Sequence, residues 1–575
     1  MTAKQKFDLW LDQVPMGTPI YRELQSIAEL PAEIEARFGA DLTFGTAGLR
    51  GIMGAGTDRM NIYTVRRAAL AYGQYIKAAD LPDTCAIAYD TRNNSRLFSE
   101  TCATALAEQG IHVYLFPEPM PTPVLSFAVR ALKTGGGVVM TASHNPAAYN
   151  GMKCYGNDGC QQTDEPAAEV FQRMQAIPMI SEPKQGFEEL CTAGKIELLD
   201  RSFYEQYYQA VLGESLDRGN IAASGLKVLY TPLHGTGLLP VTTLFDRMGV
   251  DYDVVSVQTT PDGDFPTCPY PNPETEGAFA EAAQVVHKAP NAYDIVIATD
   301  PDADRVAVAV PQKDGGLKRL SGNELGCLLL DYILSSRKAQ GTLPSHSKCI
   351  KSIVTTPMVV KIANQYGCEN IDVLTGFKYI GSTILELERQ GREDEVVFAF
   401  EESCGFLKGT YARDKDAQVA CMLVCELAAS CKLVGMDLTE KLGQLYRTYG
   451  YYKTQVVSVE LDGEQGKQRC AEYIDSLRSA PLTEIGSNPV TRIADYREGY
   501  TKDCASGKKT VLNFPSSNVL SYDLGSSGQV ILRPSGTEPK LKVYYFAADA
   551  SEQNAETLLA KMMDSVKQSM ADFGI

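Results

Sequence analysis

The sequence predicts an α/β fold, with mixed but mainly parallel sheets, in a chain long enough for several domains. One plan recurs along the 575 residues: a short apolar run, then a loop rich in Gly, Ser, Asp or Pro, then a helix-like stretch. Short β-rich runs that alternate with helical stretches are typical of α/β units. At about 150 residues per domain, the length favours about four domains.

Polar loops follow the apolar runs at one end of each unit. These runs are 85–89 before DTRNNS, 137–140 before TASHNP, 228–230 before TPLHGTG, 295–298 before TDPDADR, 373–374 before TGFKYIG and 396–400 before EESCG. In α/β folds, ligands bind beyond the carboxyl ends of the strands, and these loops fall at that end. The functional residues are therefore expected among them.

The spacing of the units predicts domain boundaries near residues 212, 322 and 448. Three similar α/β domains would cover 1–212, 213–322 and 323–448. The last segment, 449–575, is interpreted as a smaller α+β domain. It has an alternating run at 451–461, further strand-like runs at 530–532 and 540–546, and an amphipathic terminal helix at 551–573.

Composition limits the classes of partner and the location. A net charge of −17 disfavours nucleic acid or an anionic membrane as the main partner, since both require a basic face. No apolar run approaches the ~18 residues of a membrane span, and the N-terminus lacks the features of a secretory signal. The 15 cysteines form no C-x-x-C pair, which suits free thiols in a reducing compartment. We expect a cytoplasmic protein, either a monomer or a homodimer.

TASHNP places a serine beside a histidine directly after an apolar run. Ser143 next to His144 at a strand end is a candidate nucleophile. The same residues also suit an ordinary Ser/Asn/Pro turn, so the motif alone leaves both interpretations open. No G-x-S-x-G elbow occurs in the chain, which disfavours a serine hydrolase.

TDPDADR carries three aspartates at alternate positions. Asp300, Asp302 and Asp304 can converge on one hard cation through oxygen ligands. An EF-hand loop would need Gly and Glu at its sixth and twelfth positions, where the chain has Arg305 and Pro311. A solvated acidic turn is the alternative, but the flanking runs VIA and VAVAV have the composition of buried strands. We interpret the motif as a metal site.

Two further loops have the composition of ligand-binding segments. RPSGTEPK, residues 533–540, combines Arg, Ser and Thr with a glycine turn, as in a nest-like anion site. A plain turn between strands is equally compatible with it. EESCG, residues 401–405, offers acceptors for sugar hydroxyls, although its acids also suit a helix N-terminus.

Together these motifs resemble the α-D-phosphohexomutase superfamily of phosphoglucomutases and phosphomannomutases. TASHNP is similar to its phosphoserine loop, DPDADR to its metal loop, EESCG to its sugar-recognition loop and RPSGTEPK to its phosphate-binding loop. TFGTAGLRG, with Arg50, is similar to its opening motif. The resemblance covers nearly the whole chain and implies four domains around one central cleft, the last being a phosphate-binding domain. FAFEESCG followed by YARDKDA points to the longer glucose-phosphate and pentose-phosphate branch.

The resemblance implies a mechanism that starts from a phosphoserine. Ser143 would carry the phosphoryl group, and Mg²⁺ would be held by Asp300, Asp302, Asp304 and a phosphate oxygen on Ser143. The phosphoryl group would pass to a sugar monophosphate to give a 1,6-bisphosphate. This intermediate would reorient end for end and return its other phosphate to Ser143. Glucose 1,6-bisphosphate would therefore act as an activator.

Further roles follow from the same resemblance. Arg305 would orient the phosphoryl group, and the general base would be Lys153 or His144. A lysine base needs a lowered pKa, which neighbouring cations could provide. The residues expected to bind the phosphosugar substrate are Arg50, Thr375, Gly376, Glu401, Ser403, Lys415, Arg533, Ser535, Gly536, Thr537 and Lys540.

Several rival functions stay open at this point. The expected activity is phosphoglucomutase, between glucose 1-phosphate and glucose 6-phosphate. A phosphomannomutase, a phosphopentomutase or a sugar-1,6-bisphosphate synthase would share the same loops. A catalytically silent scaffold with this fold is disfavoured, because it would have no reason to keep metal ligands.

Overall fold

A computed structural model describes residues 1–45, 48–461, 463–534 and 540–575. Packing divides the chain into two compact units. The first unit comprises Met1–Leu325 and Phe377–Asp437, and the second comprises Gly326–Gly376 and Leu438–Ile575.

The strands follow one another along both units. They are β1 Gly48–Ile52, β2 Thr84–Tyr89, β3 His112–Leu115, β4 Gly136–Met140, β5 Tyr149–Gly156, β6 Ile196–Leu198, β7 Lys227–Thr231, β8 Asp251–Val254, β9 Ile295–Thr299, β10 Val306–Pro311, β11 Leu317–Leu320, β12 Lys348–Ser352, β13 Glu369–Val373, β14 Val396–Glu401, β15 Gly405–Leu407, β16 Tyr451–Glu460, β17 Glu484–Ile485, β18 Asn488–Pro489, β19 Arg492–Asp495, β20 Tyr500–Asp503, β21 Lys509–Val511, β22 Leu520–Asp523, β23 Gly528–Pro534 and β24 Lys540–Asp549.

The α-helices are interspersed among the strands, and three of them occur in succession at the N-terminus. They are α1 Ala3–Gln13, α2 Pro19–Ile27, α3 Pro31–Phe38, α4 Ile62–Ala78, α5 Ser95–Ala107, α6 Thr122–Ala131, α7 Asp164–Ala176, α8 Phe187–Thr192, α9 Arg201–Gly213, α10 Gly219–Ser224, α11 Leu238–Met248, α12 Ala280–Lys288, α13 Gly322–Ala339, α14 Met358–Gln365, α15 Phe377–Arg389, α16 Ala417–Leu433, α17 Leu438–Tyr449, α18 Gly463–Ser479 and α19 Glu552–Phe573.

The first sheet has the strand order β1-β5-β4-β2-β3-β6. Strands β4, β2, β3 and β6 run parallel, whereas β1 and β5 are antiparallel to their neighbours. Every residue of β4 is buried, as are all but the first of β2, and such continuous burial is typical of strands covered on both faces. The predicted α/β unit is confirmed here, and the TASHNP loop joins β4 to β5.

The second sheet has the order β11-β10-β9-β7-β8 and combines a parallel side with an antiparallel side. Strands β9 and β10, IVIAT and VAVAVP, form a buried antiparallel pair. Residues 300–305, which include the three aspartates, form the connection between them. Because both strands are buried, this connection is held in a fixed place.

The N-terminal helices form an extra apolar cluster against α4. Trp10, the single tryptophan, makes edge-on ring contacts with Phe38 and Tyr63 at centroid distances of 5.6 and 5.5 Å. No motif in the sequence predicts these three helices.

In the first unit, β14 and β15 form an antiparallel pair, and nearly every residue of the apolar helix α16 is buried. Cys421 and Cys425 both lie in that helix and are buried. No single helix in the described part of the chain is long and apolar enough to cross a membrane.

The second unit holds the parallel pair β12–β13 and an antiparallel sheet of order β16-β24-β23-β22-β19-β20-β21. Helices α18 and α19 pack on the sheet around Tyr473, Val543 and Val566, which are buried. The predicted strands near 451, 530 and 540 and the predicted terminal helix are all present. This confirms the predicted α+β character of the C-terminal segment.

Candidate active site

Ser143 lies directly beyond β4 in an unusual backbone conformation. Its φ is +53°, in the left-handed region, which is uncommon for a residue other than glycine. Its backbone N–H donates to Thr141 Oγ1 at 2.8 Å, and its side chain is almost fully buried. The hydroxyl Oγ lies 3.2 Å from Asp300 Oδ2 and 3.1 Å from His144 Nδ1. The loop thus presents one serine oxygen to both a carboxylate and an imidazole.

The three aspartates of the β9–β10 connection converge in space. Asp300, Asp302 and Asp304 each offer a carboxylate oxygen within 4.8 Å of the others, and all three are buried. Ala303, between two of them, has a φ of +48°, which turns the short connection tightly. Asp302 Oδ1 and Asp304 Oδ1 are buried without a hydrogen-bond partner among the described residues. Buried, unpaired acceptors of this kind suit a hard cation.

Basic side chains surround the carboxylates. Lys153 Nζ, from β5, lies 2.8 Å from Asp302 Oδ2 and 3.6 Å from Asp304 Oδ2. Lys415 Nζ lies 3.0 Å from Asp304 Oδ2, and Arg305 Nε lies 3.8 Å from Asp304 Oδ1. The site therefore holds both a potential cation site and the local positive charge that an anionic substrate requires.

The aspartates have divergent pKa values. Burial and then the charge of Asp302 raise the pKa of Asp300 well above its usual range. Burial also acts to raise the pKa of Asp302, but the charge and hydrogen bond of Lys153, with a hydrogen bond from Thr122, outweigh it and hold that pKa below its usual range. A cluster in which one carboxylate resists ionisation gains most from a bound cation.

The two candidate bases have pKa values that are shifted in opposite directions. Burial, and then the charges of Arg305 and Arg50, hold the pKa of His144 well below its usual value, so its ring is uncharged at neutral pH. Burial acts to lower the pKa of Lys153, but Asp302 and Asp304 outweigh it and the pKa is raised. The expectation that neighbouring cations lower the pKa of this lysine is wrong for this arrangement, because carboxylates lie closer to it.

The predicted sugar-binding residues of the first unit lie near the same carboxylates. Glu401, the last residue of β14, is buried, and Ser403 is half-buried in the turn that follows. Burial acts to lower the pKa of Lys415, but Asp304, Asp414 and Glu401 raise it in that order, so Glu401 lies within electrostatic reach of this lysine. Lys415 therefore contacts the acidic cluster directly, whereas the sequence analysis expects it only as a substrate-binding residue.

The remaining predicted residues lie on other elements of the chain. Arg50 lies on β1, with Nη1 3.5 Å from Asn145 Oδ1 in the Ser143 loop. Ser535, Gly536 and Thr537 lie outside the described residues. The others belong to the second unit: Thr375, Gly376, Arg533 and Lys540. Their roles stay predictions.

A long loop at residues 259–276 contributes contacts that sequence reasoning missed. Glu274 Oε1 accepts from Arg305 Nη1 at 3.1 Å, and the Tyr270 ring lies 5.9 Å from that of His144. His234 holds the base of the loop through Thr260 O and Thr267 Oγ1, each at 2.9 Å, so it acts as a structural histidine. The length of this loop is the one feature of the sequence that could have indicated these contacts, since so long a loop without regular structure is usually functional.

Comparison with known proteins decides the family. Models of the phosphoglucomutase/phosphomannomutase α/β/α domains I, II and III match residues 41–180, 205–315 and 321–449, and the model of the C-terminal domain matches 508–565. The chain belongs to the phosphoglucomutase/phosphomannomutase family. This confirms the resemblance and the fold class of three α/β domains with a smaller C-terminal domain. It also makes the chain an intramolecular phosphotransferase of the isomerase class.

Relatives and solved structures agree with this family. Proteins named phosphoglucomutase from Staphylococcus aureus strains MSSA476 and USA300 are each 36% identical over 524 residues, which cover 90% of this chain and 92% of theirs. A Paramecium structure named parafusin (phosphoglucomutase), in an open form, matches with a TM-score of 0.68 at 16% identity, over 93% of this chain and 95% of that one. A phosphoglucomutase/phosphomannomutase family protein from Burkholderia thailandensis matches with a TM-score of 0.66 at 20% identity, over 92% and 97%. At such identities the structures support the fold alone.

Proposed function

We propose that the chain is a phosphoglucomutase that interconverts glucose 1-phosphate and glucose 6-phosphate through glucose 1,6-bisphosphate. The observation that carries the proposal is the position of Ser143 Oγ, 3.2 Å from Asp300 Oδ2 at the edge of the aspartate cluster. The relatives named phosphoglucomutase, at 36% identity over most of both chains, support glucose as the sugar.

The transfer needs one bond to form and one to break, with a proton to move. The phosphorus bond to the Ser143 oxygen breaks as a bond to the sugar hydroxyl oxygen forms, and the hydroxyl proton passes to a base. Ser143 Oγ takes up a proton as it leaves the phosphorus. When the other phosphate returns, the Ser143 hydroxyl must lose that proton and the freed sugar oxygen must take one up. His144 is uncharged and its Nδ1 lies 3.1 Å from Ser143 Oγ, so we assign it the proton of Ser143. The base for the sugar hydroxyl is His144 or Lys153.

The aspartates fit the magnesium ion that the family resemblance implies. Asp300, Asp302 and Asp304 would hold it, because the set is all oxygen and two of its buried oxygens have no partner within the described residues. When bound, Mg²⁺ neutralises charge on the transferring phosphoryl group. Arg305 would orient that group, and glucose 1,6-bisphosphate would charge Ser143 as an activator.

The phosphosugar substrate would be held at its sugar hydroxyls and at its non-transferring phosphate. Glu401 and Ser403 would bind sugar hydroxyls, since both belong to the strand-end turn near Lys415. The residues proposed for the non-transferring phosphate are Arg533, Ser535, Gly536, Thr537 and Lys540. We also propose a cytoplasmic location, which the fifteen free cysteines support.

A coupled assay with competing sugars tests the proposal. Glucose 1-phosphate, mannose 1-phosphate and ribose 1-phosphate are offered separately, with catalytic glucose 1,6-bisphosphate and with Mg²⁺ or a chelator. We expect the highest kcat/KM for glucose 1-phosphate and loss of turnover in chelator. A higher kcat/KM for mannose 1-phosphate or ribose 1-phosphate would assign the chain to that rival function instead.

A further inference from the structure

Arg92, in the DTRNNS loop after β2, has no role in the mechanism above. Its side chain is fully buried, and its guanidinium donates to four backbone carbonyls of one loop. Nη1 donates to the carbonyls of Pro146 and Tyr149 at 2.9 and 3.1 Å. Nη2 donates to the carbonyl of Ser143 at 2.6 Å and to that of Asn145. One side chain thus holds residues 143–149 at four points.

Arg92 is itself held on two sides. Its Nε lies 3.3 Å from Asp90 Oδ2, and its backbone N–H donates to Asp90 Oδ1 at 2.9 Å. Its guanidinium carbon lies 4.9 Å from the ring centroid of Phe265, in the 259–276 loop. A guanidinium at this distance from an aromatic face is attracted to it. The residue therefore connects the Ser143 loop to a loop that follows β8 in the second sheet.

The Ser143 conformation requires such support. A non-glycine residue in the left-handed region persists only where the surroundings over-determine it. The carbonyl of Ser143 is one of those that Arg92 binds, so the guanidinium fixes the peptide next to the reacting oxygen. Few other residue types could do this, since the planar guanidinium offers five donors in a rigid fork.

We infer that Arg92 is a positioning residue for phosphoryl transfer, which keeps Ser143 Oγ at the aspartate cluster by fixing the backbone of residues 143–149. Phe265 fixes the guanidinium in turn, so the 259–276 loop takes part in placing Ser143. The inference rests on the proposed role of Ser143 as phosphoryl carrier.

Arg92→Lys is the decisive variant, because it keeps a cation beside Asp90 but cannot reach four carbonyls. Its matched control is Arg67→Lys. Arg67, on α4, also donates from a largely buried guanidinium to two backbone carbonyls, those of Met174 and Ile177 at the C-terminal end of α7, at 2.9 and 3.0 Å. Both variants remove contacts to backbone carbonyls, but only Arg92 holds the loop that carries Ser143.

The readouts are kcat, KM, the melting temperature and the fraction of phosphoserine lost to water rather than passed to sugar. We expect Arg92→Lys to lower kcat by ~100-fold, with KM changed by less than about threefold and a larger fraction lost to water. Arg67→Lys should lower the melting temperature alone. A folded Arg92→Lys with wild-type kcat and wild-type partition to sugar would overturn the inference.

Phe265→Leu serves if Arg92→Lys does not fold. It leaves every donor of Arg92 in place and removes only the aromatic face, so a fall in kcat of about threefold or more, without a matching rise in KM, is expected. Unchanged kcat and partition in this variant would contradict the inference. Wild-type protein that takes up no phosphate on Ser143 from labelled glucose 1,6-bisphosphate would instead overturn the proposed function on which the inference rests.

Discussion

Ser143, Asp300 and His144 meet at one serine oxygen, although Asp300 lies 157 residues away along the chain. The sequence predicts each residue type at the end of a strand, because β4 and β9 are recognisable as apolar runs. It does not predict the distances, which depend on how two sheets pack. It places Arg92 in one of the polar strand-end loops but does not indicate its role, because its four carbonyl partners come together only once the chain has folded.

At residue scale, the aspartate cluster should bind a cation but lower the stability of the fold when no cation is bound. Asp300 has a raised pKa, so its ionisation is disfavoured in the folded state. The free energy of unfolding therefore falls as the pH rises from the usual pKa of an aspartate to the raised pKa of Asp300. In chelator at about pH 7, Asp300→Asn should therefore raise the melting temperature while removing turnover with Mg²⁺. An Asn variant that melts below the wild type in chelator would show that the charged cluster does not destabilise the fold.

The lowered pKa of His144 sets an expectation for the pH profile. An imidazole whose pKa lies well below 6.5 stays uncharged until the pH falls through that lower value, so kcat should hold between about pH 8 and pH 6. His144→Gln should reduce kcat by ~100-fold, the usual contribution of a general base. A loss of kcat with a midpoint near pH 6.5 would contradict the assignment of an uncharged ring.

At the scale of elements, the predicted strands agree with the structure within a few residues where apolar runs are unbroken. The run at 85–89 corresponds to β2 at Thr84–Tyr89, and that at 396–400 to β14 at Val396–Glu401. The run at 373–374 marks only the end of β13, because three of the first four residues of that strand are polar, namely Glu369, Asn370 and Asp372. The 259–276 loop escaped prediction because its contacts are tertiary and its sequence has no periodicity.

Asp416, at the start of α16, is a test of how the elements around the site are held. It is the N-cap of that helix, and its carboxylate also accepts from the hydroxyls of Tyr207 and Tyr411. Asp416→Ala should lower the free energy of unfolding by about 2–4 kcal/mol, since a cap is lost and two buried hydroxyls lose a partner.

The matched control is Asp200→Ala, which removes an exposed N-cap from α9. Urea denaturation should give a smaller loss there, since only the cap is removed. Equal losses in the two variants would mean that the tyrosine hydroxyls contribute nothing to the stability of the cap.

At the scale of the whole molecule, the chain is strongly acidic, yet basic side chains cluster where an anionic sugar phosphate would bind. The net charge is −17, while Lys153, Lys415 and Arg305 all lie within 4 Å of Asp304. The sequence predicts these residues by motif, but their shared contact with one carboxylate requires the folded chain. The domain boundaries at 212, 322 and 448 stay predictions.

Arg533, at the end of β23 in the second unit, is proposed to bind the non-transferring phosphate. Arg533→Ala should weaken the binding of glucose 1-phosphate by about 2–3 kcal/mol, the value of a lost charge-assisted hydrogen bond. Calorimetric titration measures this directly. Arg492→Ala, which removes an arginine paired with Asp523 in the same sheet, is the control and should leave binding unchanged. Equal affinities in both variants would remove Arg533 from the substrate site.

The central claim is that Ser143 carries the phosphoryl group. Labelled glucose 1,6-bisphosphate is mixed with the wild type and with Ser143→Ala, and the labelled peptide is identified by mass spectrometry. We predict one labelled residue, Ser143, in the wild type, release of that label to added glucose 1-phosphate or glucose 6-phosphate, and neither label nor turnover in Ser143→Ala. Label or turnover retained in Ser143→Ala would contradict the account.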